Sequence, residues 1–78
     1  MTVSTMKKKA MEQLRMVAYN VKNEWLQGNR EYAEGLARDL TVYEDTFTTV
    51  LGLLTSEEAQ EAKADGYDAA VKLNKKYE

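Results

Sequence analysis

The chain contains no cysteine, no histidine and no proline, and each absence removes a class of chemistry or architecture. Without cysteine no disulfide can staple the fold, and without cysteine or histidine no ordinary structural zinc site can form. Carboxylates alone are left as metal ligands, and these suit calcium or magnesium. Catalysis built on a histidine base or a cysteine nucleophile is excluded, as is the Glu-x-x-His motif of four-helix di-iron proteins. The four glycines, Gly28, Gly35, Gly52 and Gly66, form no phosphate-cradling loop. Paired carboxylates could act as acid and base only in a desolvated cleft, which a small helical bundle does not provide. The expectation is a protein that is not an enzyme and uses no cofactor or metal.

What is present describes a small folded domain. With 78 residues the chain makes one domain, and a domain of this size buries only about 60% of the surface its unfolded chain exposes. Its stability margin is therefore thin, and a partner chain would help it. The 44% hydrophobic content with 31% charged residues, and a net charge of −2, lies within ordinary globular usage and outside the signature of disorder. The amino-terminal stretch MTVSTMKKKA has lysines but no following apolar segment. No run approaches the roughly 18 apolar residues of a membrane span. These features predict a cytoplasmic protein without a membrane partner.

Missing prolines and few glycines favour long helices, and three apolar stripes at helical spacing define them. Ala10, Leu14, Val17, Val21 and Trp25, widened by Met11 and Ala18, predict a first helix over about 5–27. Gly28 supplies its carboxyl-terminal stop and Asn29 a cap for the next helix. Ala33, Leu36, Leu40, Tyr43, Phe47, Leu51 and Leu54 predict a second helix over about 30–54, with a break near Thr48 as the alternative. Thr55-Ser56-Glu57-Glu58 then reads as a capping box, the threonine and the glutamate three positions later each satisfying an orphan amide. The third helix, about 56–77, carries the mostly small stripe Ala59, Ala62, Gly66, Ala69, Ala70, Leu73 and Tyr77, which allows close approach to a neighbour.

Two-residue connections between helices of this length predict antiparallel neighbours, hence an all-α, antiparallel three-helix bundle that self-associates. Charge supports the order. Residues 1–27 carry five basic and two acidic groups, 28–54 two and five, and 55–78 four and six. An up-down-up arrangement sets Lys7, Lys8 and Lys9 beside Glu57, Glu58 and Glu61, and Lys72, Lys75 and Lys76 beside Glu31 and Glu34. Exposed pairs of this kind stabilise by roughly 0 to 1 kcal/mol, so they select a topology more than they hold it.

Three surfaces are candidates for function. Val42, Thr46, Thr49 and Leu53, with Val50 beside them, form a second row on helix two that points away from its core stripe. β-Branched residues do not favour a helix, and an apolar row left over from the core marks an association face. Met16 and Tyr19, off the stripe of helix one, join it as interface residues, since methionine and tyrosine tolerate both water and burial. Glu57, Glu61, Asp65 and Asp68 make an outward acidic stripe that could imitate a phosphate backbone and bind a nucleic-acid-handling protein. The helix macrodipole alone also favours carboxylates there. Lys7, Lys8 and Lys9 form a short basic cluster, but a net negative chain with no broad basic face is not expected to bind nucleic acid. The composition suits a small accessory or regulatory protein of a microbe or virus. Its expected partners are a second copy of itself and another, unidentified protein.

Overall fold

The computed structural model describes residues 2–76 and consists of three helices, with no strand among the described residues. The first, α1 (Val3–Leu26), starts two residues before the predicted boundary because Thr2 caps it, its hydroxyl accepting the Thr5 N–H at 3.2 Å. It ends at Gly28, where φ is 91°. The N–H of Gly28 donates to the Trp25 carbonyl and that of Asn29 to the Glu24 carbonyl, the paired bonds of a Schellman stop. Asn29 does not cap the next helix as its residue type predicts. Its backbone sits at φ −84°, ψ 59°, off the extended conformation a capping residue adopts, and its side chain donates instead to Glu24 Oε2 at 2.7 Å.

The second helix, α2 (Arg30–Asp45), is shorter than the predicted span to 54. From Thr46 to Val50 the backbone widens into a turn of π-helix, and it then leaves helical geometry through Gly52, with φ 62°. Threonines crowd the break. The hydroxyls of Thr46 and Thr48 donate to the carbonyls of Val42 and Glu44, both at 2.8 Å, a bond pattern that bends helices. The third helix, α3 (Ser56–Lys76), opens on the predicted capping box. The Thr55 N–H donates to Glu58 Oε1 at 3.0 Å and the Glu58 N–H to the Thr55 hydroxyl at 3.1 Å.

α1 and α3 run parallel, with α2 antiparallel to both. Lys7 pairs with Glu58 at 2.8 Å near one end, and Asn74 donates to Asn23 at 3.0 Å near the other. Between them a Cβ on Gly66 would overlap the Arg15 carbonyl oxygen and stand 2.9 Å from both the Ala18 Cβ and the Tyr19 nitrogen. Each of the three meetings joins residues 51 apart. Two helices that hold one register over sixteen residues, about 24 Å of helix, lie nearly parallel. Small residues make this possible: Ala59, Ala62, Gly66 and Ala70 are buried against Ala10, Leu14 and Ala18. α2 packs on α1 but scarcely approaches α3 through its backbone. Its link to α3 is made by side chains, with Lys63 Nζ 2.6 Å and Gln60 Nε2 3.1 Å from the Glu44 carboxylate.

The core is thin. Its buried members are six alanines with Leu14, Leu40 and Leu54. Trp25, Tyr43 and Leu51 were expected inside and stand exposed. Trp25 lies at the Schellman turn and is covered on one face by the Arg30 guanidinium, 4.9 Å above its ring. Ala69 is also exposed, and Tyr67, which lies off the predicted stripe, packs against the core; Tyr77 lies outside the described residues. At the far end no ion pair joins Lys72, Lys75 or Lys76 to Glu31 or Glu34 among the described residues. The molecule measures 41 × 23 × 20 Å with a radius of gyration of 13.0 Å, above the roughly 11.5 Å of a typical 78-residue domain. Among the described residues no helix is long and apolar enough to cross a membrane.

Candidate functional site

The π turn decides which apolar side chains face water. A continuous helix would carry Leu51 inward, in line with Leu40 and Phe47. Instead the Leu51 N–H donates to the Thr46 carbonyl, five residues back, and the N–H groups of Leu53 and Leu54 both donate to the Phe47 carbonyl. The reversal turns Leu54 into the core and leaves Leu51 56% exposed. Val50 and Val42 are 74% and 64% exposed, and Thr49 is exposed as well.

The predicted row on helix two therefore divides. Val42, Thr49 and Val50 face solvent, Thr46 is half-buried with its hydroxyl turned back on the helix, and Leu53 packs against the core. A shallow, open groove of about 360 Å³ lies between the start of α1 and the end of α2. Met6, Lys9, Ala10 and Gln13 of α1 line one side, and Tyr43, Phe47 and Leu53 the other. Tyr43 and Phe47 stack with ring centroids 6.2 Å apart and planes 19° from parallel, so the aromatic wall is a continuous surface. Met6, Tyr43, Phe47 and Leu51 are the site residues that helical periodicity misses. The signal that could have found them is the Thr46-Phe47-Thr48-Thr49-Val50 run just before a capping box, since a helix start at Ser56 needs a non-helical approach.

Met16 and Tyr19 are not part of this surface. They line a separate groove along α1 and α3 with Arg15, Asn20, Gly66 and Ala69, Met16 exposed and Tyr19 half-buried.

The lysine cluster is splayed by the helix. Lys7 pairs with Glu58, Lys8 borders a depression with Glu12, Arg15 and Asp65, and Lys9 borders the apolar groove. No continuous basic face forms from the three. Glu57, Glu61, Asp65 and Asp68 are all exposed, Asp65 at the border with α1, and none takes part in an ion pair among the described residues. They do not converge either: among the described residues no three carboxylates come together to share a cation. Glu58 stands apart from the stripe. The Lys7 ammonium, first, and the Thr55 backbone N–H, second, hold its carboxyl below the ordinary value of 4.5.

No family model matches the chain, and no curated protein or solved structure matches it.

Proposed function

We propose that the protein is a non-enzymatic interaction module that works as a homo-oligomer, joined through the end of α2 and the π turn. The observation that carries this reading is the apolar surface left there. Val42, Tyr43, Val50 and Leu51 are exposed, and a groove lined by Met6, Tyr43, Phe47 and Leu53 lies at the end of α2, whereas among the described residues only Leu14 of the large side chains is fully buried. A chain whose buried core is mostly alanine gains by covering the large apolar groups that it leaves outside. An accessory or regulatory role in the cytoplasm belongs to the same reading.

Association links unfolding to concentration, because a dimer is stabilised by mass action and a monomer is not. The melting temperature of the native chain is expected to rise with protein concentration. That of Leu51→Glu, which places a charge at an already exposed position, is expected to stay constant with unchanged helical circular dichroism. A melting temperature independent of concentration in the native chain would count against the proposal.

The alternative is an acidic inhibitor that binds a nucleic-acid-handling protein through Glu57, Glu61, Asp65 and Asp68. What favours it is that all four carboxylates are exposed and without ion-pair partners among the described residues. Retention of binding to such a protein after Glu61→Lys and Asp65→Lys would remove this alternative.

A further inference from the structure

We propose that two copies of the chain associate by exchanging α3, each copy's α3 leaving its own α1 and packing in the same register on the α1 of the other. The proposal rests on the self-association reading and names the hinge and the surface through which it works. The surface that receives the partner is the one α1 presents to α3, so its complementarity is seen directly in the structure. Lys7 meets Glu58, Arg15 meets Gly66 and Asn23 meets Asn74, each pair 51 residues apart. In an exchanged pair the same meetings form between chains, and only a second copy of this chain can supply them.

The connection that holds α3 against its own α1 is short and reverses the path of the chain. The backbone is still right-handed at Leu51, with φ −93° and ψ −19°, and α3 begins at Ser56, so Gly52–Thr55 make the whole reversal. They turn on Gly52, whose φ of 62° lies in the left-handed region. The connection contains no proline, so rotation of Gly52 into the ordinary helical region lets α2 and α3 run on in one direction. Apolar spacing favours that extension, because Leu40, Phe47, Leu51 and Leu54 share one stripe only along an uninterrupted helix. In the closed chain the stripe is broken and Leu51 stands exposed. Short reversing connections of this kind permit an element to be exchanged between copies.

The side-chain link between α2 and α3 locates the crossing. Glu44 lies opposite Gln60 and Lys63, so in an exchanged pair the two extended connections pass each other midway, at Gly52–Leu54. Val50 and Leu51 of each copy then lie close to those of the other, at the end of α2 where the closed chain leaves them uncovered.

The lack of native cysteine supplies the test. Asn23→Cys and Asn74→Cys chains carry one thiol each, so any crosslink joins two chains. They are unfolded together, refolded and treated with a short bismaleimide, and sedimentation equilibrium is run on the same mixture. The expected result is a dimer whose main crosslinked product joins position 23 of one chain to position 74 of the other, positions that meet within one copy when the chain is closed. Gly52→Ala in both chains, which disfavours the reversal and favours helix, is expected to tighten the dimer about a hundredfold or more. A dimer without the 23–74 product, or one that Gly52→Ala leaves no tighter, overturns the exchange and leaves self-association standing. A monomer at every concentration overturns both.

Discussion

At Gly66 the absence of one methyl group decides how closely two helices can lie. A Cβ there would meet the backbone of Arg15 and Tyr19 as well as the Ala18 side chain, and backbone cannot swing aside as a flexible side chain can. Gly66→Ala is therefore expected to destabilise the protein by about 2 kcal/mol, lowering the melting temperature by about 8 °C or more. Gly35→Ala makes the opposite prediction. Gly35 lies within α2 with nothing within 4 Å of where its Cβ would stand, so alanine should stabilise by about 0.5 to 1 kcal/mol through helix propensity. Thermal melts of the two variants check both signs.

The capping box yields two further predictions at the same scale. Thr55→Ala removes the acceptor for the Glu58 N–H and should lower stability by about 1 kcal/mol in chemical denaturation. Glu58 carries a pH dependence. Because its carboxyl is held below 4.5 in the folded chain, chiefly by Lys7, the unfolded chain takes up that proton at higher pH than the folded one. Its contribution is complete above about pH 4.5 and is lost as pH falls from there through the lower folded value. The melting temperature of the native chain should thus fall more steeply below pH 4.5 than that of Glu58→Gln, and equal slopes would refute the assignment. The capping box and Gly28 were both legible in the sequence, because each satisfies backbone groups through residues adjacent in the chain. Asn29 was not, since nothing local shows that Glu24 will capture its side chain.

Among the elements, α1 and α3 follow their apolar stripes closely, and α2 does not. The stripe Ala33, Leu36, Leu40, Tyr43, Phe47, Leu51 and Leu54 reads as helix throughout, and periodicity alone cannot separate it from a helix that opens and turns back. The competing effect is the density of threonine and valine over 46–50, where hydroxyls bond back to ladder carbonyls, a pattern that bends helices, and branched side chains resist helical packing. The outcome reverses two placements: Leu51, read as core, emerges, and Leu53, read as surface, packs inward. α2 also touches α3 mainly through Glu44, Gln60 and Lys63. Its opening should cost less than separating α1 from α3. In the Leu51→Glu chain, amide protons of α2 should exchange about tenfold faster than the buried amides of α1 and α3, a difference of about 1.4 kcal/mol in opening free energy. Equal protection along all three helices would show that α2 is held more firmly than its contacts indicate.

As a whole molecule the protein is an elongated bundle with an alanine core and an apolar end. The sequence made the bundle and its helix order legible because stripe spacing and short turns are local signals. It did not disclose the groove, because Met6 on α1 and Tyr43, Phe47 and Leu53 on the far side of a helix break come together only through tertiary packing. It also grouped Met16 and Tyr19 with the helix-two row, although they lie on a different groove. The missing cysteines and histidines leave noncovalent packing as the source of stability, and Val42, Val50 and Leu51 at the apolar end contribute little of it within one chain. The most direct test is sedimentation equilibrium of the native chain and Leu51→Glu over a range of concentrations. The account predicts that the native chain approaches twice its 8.9 kDa mass as concentration rises, while Leu51→Glu stays at the monomer mass. A native chain that sediments as a monomer throughout, or a Leu51→Glu chain that dimerises equally well, would contradict it.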